Sequence, residues 1–548
     1  MKRLLIIPTF LVALLLGSMF WSGTATETRP DFTFINRGEI TTLDPARISW
    51  LQDIRIAYAL WETLYTPDPK TLRPVPGAAV SYTLSDDRRV YTFHLRNEGR
   101  WSNADPVTAH DFVFGWRRML ENPDEYTSIF HIIQGAQDYQ TAYAADRATA
   151  SFGGVGIEAS DDHTLRVTLI RPVPYFLELV AFTPFVPQHE GSMKRYMTER
   201  KLTSLDEGWT HPPFLVGNGP YRLARWDFKR RLRLVANEHY WNDANTKLRT
   251  IDMLSAEDPQ TAFLKYHSGG VDWLSDVVPG VASELLARNA PDLHVFTGFG
   301  TYFYSINCQD TFPDGSPNPF RDVRVRQAFA MALDKQPIVD NVTRMGEHVA
   351  TQYIPTNIFP GYTSRGGLGF DPERAKQLLA DAGYPQGRGF PQVTLMFNTG
   401  AHHAEVAQIA RRSWLDHLGI DVSLEGMEVQ IFRQRLNKKQ YMIARASWIG
   451  DYNDPTTFVD KYRSTSEGND AGWLNKAYDA LLDQAADEAD PAKRFDLIAQ
   501  AEQMMNDQVP IIPVYYYNNA YLYRDHVRGI AHDPRSMVMF HGVEVVRP

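Results

Sequence analysis

Tyr91-Thr92-Phe93-His94-Leu95-Arg96 alternates apolar and polar residues one for one. Side chains alternate across a strand, so this pattern predicts a strand with one buried face. Thr164-Leu165-Arg166-Val167-Thr168-Leu169 repeats it. Elsewhere the spacing is helical. Asp371 is placed to cap a helix with Pro372 at its first position, with Leu378, Leu379 and Ala382 as its buried stripe and Gly383 and Pro385 as its stop. Asp322 caps another, in which Val325, Ala328, Phe329, Ala332 and Leu333 share one face. Strands and helices mixed along the whole chain predict an α/β protein with mixed sheets.

The 548 residues suffice for about three folded units at roughly 150 residues each. Turn-rich stretches near 196–218, 305–320 and 385–391 suggest boundaries. A formal charge of −9 argues against a nucleic-acid partner, which needs a net basic face. The run Lys229-Arg230-Arg231 is too short to change that and reads as solvated surface. At the N-terminus, Lys2 and Arg3 precede an apolar run from Leu4 to Leu16, and Gly23-Thr24-Ala25 fits the small residues of a cleavage site. This is the order of a secretory signal peptide over residues 1–25. An uncleaved anchor is the competing reading, because apolar character drifts on to Trp21. Cys308 is the single cysteine, so no internal disulfide is expected, and none stands near the apolar run to take a lipid. A periplasm-like space is the expected location.

Further stretches stand in a fixed order: Leu43-Asp44-Pro45, Ala59-Leu60-Trp61-Glu62-Thr63-Leu64-Tyr65, Trp101-Ser102-Asn103 and Pro106 to Val113. Gly217-Asn218-Gly219-Pro220-Tyr221, Asn237-Glu238-His239-Tyr240-Trp241, Asp322 to Phe329 and Pro513-Val514-Tyr515-Tyr516-Tyr517 follow. Together they cover nearly all of the chain beyond the signal and resemble the extracytoplasmic solute-binding proteins of the oligopeptide and dipeptide ABC importers. The resemblance implies a two-lobe clamshell with mixed sheets, an extra subdomain in the first lobe and a hinge of two crossover strands. It places the first lobe at 26–61, 196–300 and 518–548, the extra subdomain at 62–195 and the second lobe at 301–517. It implies a monomeric receptor, with no cofactor, that binds short peptides and hands them to the importer's transmembrane subunits.

Arg445-Ala446-Ser447-Trp448-Ile449-Gly450-Asp451-Tyr452-Asn453-Asp454-Pro455 is the stretch that bears on binding. A carboxylate held among aromatic rings is poorly solvated and favours a cationic partner, and a free α-amino group fits. On its residues alone, Asp451 is better read as capping a turn or pairing with Arg445. The resemblance implies that Asp451 grips the peptide amino terminus. It also implies that Arg445 and His403 receive the carboxylate end, as guanidinium and imidazolium donors, against a plain surface role for His403 beside His402. Tyr126 and Tyr517 are implied as aromatic contacts, with core packing the alternative for each. Trp448, Ile449 and Gly450 are expected to offer main-chain groups in strand addition, and Ser49, Trp50 and Leu51 to pair from the other lobe. Two departures bear on pocket size: Ser49 stands where an acidic residue is familiar, and Val429 where a tryptophan is. A metal site on His402 and His403 is disfavoured by reading them as strand neighbours, which face opposite ways.

Three other readings compete. An exported hydrolase is disfavoured because neither a His-Glu-x-x-His nor a Gly-x-Ser-x-Gly pattern occurs, and Asn307-Cys308-Gln309 gives the thiol no activating context. A receptor of the same fold for a nickel chelate, an oligosaccharide or an opine is weighed against by Asp451, since a neutral sugar needs no buried carboxylate. A receptor for murein peptides stays open.

Overall fold

The computed structural model describes residues 29–547, apart from Arg37, Leu72, Glu125, Glu257, Pro313, Ala401 and Glu467. The signal peptide expected at 1–25 lies outside the described residues. Among the described residues no helix is long and apolar enough to cross a membrane.

Two long neighbouring strands, Leu293–Ile306 and Ile511–Tyr523, organise the chain. They sit inside a ten-stranded sheet. On one side follow Ile443–Ile449, Thr394–Asn398 and Ser423–Met427, and on the other Trp273–Leu274, Phe32–Ile35, Thr250–Leu254, Arg231–Ala236 and Tyr221–Asp227. The sheet is mixed: pairing is antiparallel at the centre, parallel at the Ser423–Met427 end and around Phe32–Ile35, and antiparallel again at the Tyr221–Asp227 end. Each long strand contributes residues to several cores. One core gathers Phe34, Leu60, Trp61, Trp116, Phe185, Trp273 and Phe540. Two others, around Tyr304, Phe329 and Trp414 and around Phe303, Phe458 and Tyr478, draw on 299–515. The protein is thus two lobes joined by two strands.

Where the strands cross between lobes their ladder breaks. Thr297 opposes Asn518, yet Thr301 opposes Tyr516, leaving Gly298, Phe299 and Gly300 against Tyr517 alone. Glycine is needed here for close approach. A Cβ on Gly298 would lie 2.8 Å from the Tyr517 carbonyl oxygen, and one on Gly300 would lie 2.6 Å from that of Trp448.

The strand predicted at 91–96 spans Val90–Leu95, with Tyr91, Phe93 and Leu95 buried; its partner spans Thr164–Thr168, with Leu165 and Val167 buried. They lie at the centre of a separate four-stranded sheet, flanked by Ala79–Leu84 and Ile157–Asp161. Its apolar face belongs to the same core as the rest of the first lobe. Both expected helices form, at Val323–Met331 and Pro372–Asp381, with Asp322 and Asp371 accepting N–H groups of the first turn.

Several ordered motifs turn out to hold the first lobe together. Asp44 forms a two-pronged ion pair with Arg118, both bonds 2.6 Å. Buried Glu62 accepts from the Tyr240 hydroxyl at 2.6 Å and from Trp241 Nε1 at 2.9 Å. Its main chain is clasped in both directions by the Asn218 amide. Burial raises the Glu62 carboxyl to about 7. A Cβ on Gly217 would collide with the Leu60 carbonyl at 2.0 Å, so that glycine is required by packing.

Candidate ligand-binding cleft

The strand Ile443–Ile449 carries the geometry that matters. It pairs antiparallel with Leu293–Ile306, Ile449 opposite Gly300 and Ile443 opposite Ile306. The same register continues past both ends, where Gly450 donates its N–H to the Phe299 carbonyl at 2.9 Å and the Met442 carbonyl accepts from Asn307 at 3.1 Å. Antiparallel partners alternate between bonded and non-bonded pairs. Even-numbered residues from Met442 to Gly450 therefore direct their main chain at Leu293–Ile306, and Arg445, Ser447 and Ile449 direct theirs the other way. On that other side Thr394–Asn398 pairs only at Ile443 and Ala444. Beyond Ala444 no described strand pairs with that edge.

The open edge lines a cavity of about 500 Å3 between the lobes. Arg445, Ser447 and Ile449 form one wall and Asp276 to Pro279 of the first lobe another, with Tyr515, Tyr517, His403 and Glu347 among the other residues that line the cavity. Arg445 is held by aromatic groups: its guanidinium carbon sits 5.0 Å from the Tyr302 ring centre, and Nη2 donates to the Tyr517 hydroxyl at 3.1 Å. Its buried Nε donates to no acceptor among the described residues. His403 sits close by, Nδ1 3.4 Å from the Tyr302 hydroxyl. Burial, then the neighbouring Arg445 and His402 charges, push the His403 imidazole down to about 4.

At the end of this strand Asp451, partly buried, donates its main-chain N–H to Thr457 Oγ1 at 2.9 Å. The Trp448 indole donates to the Thr457 carbonyl at 2.7 Å, so Thr457 secures the loop twice. A Cβ on Gly450 would strike the Phe299 ring at 2.1 Å, which keeps that position glycine.

Several expectations need correction. Trp448 and Gly450 spend their main-chain groups on Leu293–Ile306; only Ile449 of that trio faces the cleft, and Ser447, given no binding role from the sequence, joins it. Leu51 is the first residue of the helix Leu51–Leu60, and the Trp50 carbonyl accepts from Asp53 and Ile54, so extended backbone stops at Trp50. Ser49 is half-buried and Trp50 is 54% exposed. His402 and His403 are no strand pair: His402 caps the helix His403–Leu418. His403 is neutral near pH 7, hence not an imidazolium. Tyr126 precedes a short 3-10 helix, its ring edge-on to Phe182 at 4.9 Å against the first-lobe core, and is not among the cavity-lining residues. Val429 opens the helix Val429–Asn437. The Cys308 thiol is pushed up to about 11 by burial, which leaves it a poor nucleophile at neutral pH. Among the described residues no group of three or more His, Cys, Asp or Glu is arranged to hold a metal ion.

The family model of the bacterial extracellular solute-binding proteins, family 5, matches residues 73–470. The chain belongs to that family. The periplasmic oligopeptide-binding protein OppA of Escherichia coli is 32% identical to this solute-binding protein over 547 residues, covering 96% of this chain and 95% of the relative. OppA of Bacillus subtilis is 31% identical, covering 83% and 82%. The unliganded open form of the periplasmic murein tripeptide-binding protein MppA superposes with a TM-score of 0.78 at 29% identity, over 95% of this chain and 98% of that one. Haemophilus influenzae OppA in complex with the peptide RPPGFSPFR gives 0.73 at 28% identity, over 95% and 100%. The family 5 protein is therefore a clamshell, as its two lobes and two crossing strands show.

Proposed function

We propose that the protein is a periplasmic receptor that binds short peptides and delivers them to an ABC importer, exported by a cleaved signal peptide and free of a lipid anchor. The lobes are read at 26–61, 196–300 and 518–548 for the first, with 62–195 as its subdomain, and 301–517 for the second. One observation carries the ligand class. Arg445, Ser447 and Ile449 turn main-chain donors and acceptors toward an inter-lobe cavity along an edge that no described strand covers beyond Ala444. An extended peptide completes such an edge by strand addition, and main-chain recognition accepts varied side chains. Asp451 lies two residues past Ile449, where the amino terminus of a strand running along that edge needs an anionic partner. Arg445 and His403 stand farther back to meet its carboxylate. Ligand that touches both lobes draws the population toward closure.

Calorimetric titration with a tripeptide, its N-acetylated form and a form N-methylated at its amide nitrogens tests the reading. The free tripeptide is expected to bind most tightly and both modified forms to be weakened. Equal affinity for all three would rule out main-chain and amine recognition together.

A further inference from the structure

The loop that carries Asp451 is held from both lobes. On the second-lobe side, Thr457 takes the Asp451 N–H and the Trp448 indole, and Arg494 forms a buried two-pronged ion pair with Asp454, both bonds 2.7 Å. On the first-lobe side, the Tyr452 ring lies flat on Tyr175 of the extra subdomain, centres 4.8 Å apart and planes within 9°. Tyr452 packs against the first-lobe core although the strand that precedes its loop, Ile443–Ile449, belongs to the second lobe. Next to it, Asn453 Nδ2 donates to Glu178 Oε1 at 3.4 Å. Arg494 adds a cation beside the same stack, 5.8 Å from the Tyr175 ring centre.

We infer that Tyr175 and Glu178 are positioning residues for amine recognition: through Tyr452 and Asn453 they orient the Asp451 carboxylate from across the cleft. The inference rests on the peptide reading, with Asp451 as the amine's partner. The physical reason is adjacency. Asp451 to Asp454 form no regular ladder, so the direction of the Asp451 side chain follows the backbone angles next to it. A ring clamped face to face one residue away leaves those angles little freedom. A charge-assisted contact is sensitive to such orientation. Capture of an amine then depends on how the two lobes sit, because Tyr452 and Asn453 in the middle of the loop rest on the first lobe.

The test compares affinities for a free and an N-acetylated tripeptide in wild type, Tyr175→Ala, Tyr175→Phe and Asn453→Ala, with Tm as a folding control. Wild type is expected to prefer the free amine. Tyr175→Ala is expected to lose about tenfold of that preference, the order that an aromatic pair contributes, while Tyr175→Phe keeps it. Wild-type preference retained in Tyr175→Ala, including equal weakening of both ligands, overturns the inference and leaves the peptide reading intact. A wild type without preference overturns the amine reading, and this inference with it. Should Tyr175→Ala not fold, Asn453→Ala decides: reduced preference supports the inference and full preference overturns it.

Discussion

Gly450 donates its main-chain N–H to the carbonyl of Phe299 at 2.9 Å, and that bond settles which way the preceding strand faces. With the bonded pairs at even numbers, Ser447 points into the cleft and Trp448 points into the sheet. Strand addition is possible along 445–449 because the neighbouring strand stops pairing at Ala444.

Two proline substitutions separate these directions. Proline removes one donor and is tolerated only where that donor is outside the ladder. Ser447→Pro is therefore expected to fold with a near wild-type Tm and to bind tripeptide at least tenfold more weakly, for loss of one hydrogen bond of about 1.5 kcal/mol. Trp448→Pro breaks the ladder with Leu293–Ile306 and is expected to lower Tm sharply. Melting curves and titrations on both proteins check it; a Ser447→Pro protein that melts like Trp448→Pro would show the register to be misread.

Asp451→Ala is expected to weaken binding of a free tripeptide about a hundredfold and to leave an N-acetylated one nearly unchanged. Stranding one member of a desolvated charge pair costs roughly 3–5 kcal/mol, and the partial exposure of Asp451 puts this site toward the lower end. Titration calorimetry reads both ligands. Parallel losses for the two would assign Asp451 a structural task.

How much of this was legible in the sequence follows from where each signal is encoded. Period-two runs and capped helices are local, so the strands at 90–95 and 164–168 and the helices at 323–331 and 372–381 were readable. The resemblance supplied the clamshell and drew attention to 445–455. Whether Ser447 or Trp448 faces ligand was not legible, because alternation says that neighbours differ and only the partner strand says which is which. The helical start at His403 was hidden because the residue at its cap position, His402, makes no side-chain cap bond and is not one of the types that mark a helix start. Glu62 shows the same limit: its partners Asn218, Tyr240 and Trp241 lie more than 150 residues away, so the motifs were visible but their joint structural task was not.

Peptide binding is expected to take up protons. The His403 imidazole is held at about 4 by burial and by Arg445. A ligand carboxylate arriving between them favours the charged form and raises that value. Binding thus couples to proton uptake, and affinity strengthens as pH falls from 7 toward 5. Calorimetry in two buffers of different ionisation enthalpy measures the uptake, and His403→Asn should abolish it. Zero uptake in wild type at pH 5.5 would remove His403 from the carboxylate site.

Glu178 makes stability depend on pH in the opposite sense to a paired surface carboxylate. Burial raises it to about 7, against partial relief from Arg535 and Asn453, with Asp454 and Asp533 adding to the rise. Its folded value lies above the ordinary value of about 4.3, so the folded protein holds this proton more tightly than the unfolded chain. The contribution is present in full below about pH 4 and is lost as pH rises through 7. Glu178→Gln keeps the shape and cannot ionise, so its stability relative to wild type should climb between pH 4.5 and 7.5 and level off above. Asp53 and Glu62, both also raised to about 7 by burial, give wild type and variant the same background slope, which the comparison cancels. Urea midpoints for the two proteins across that range read the difference directly; a constant offset at every pH would mean that Glu178 is already ionised within the folded protein at pH 5.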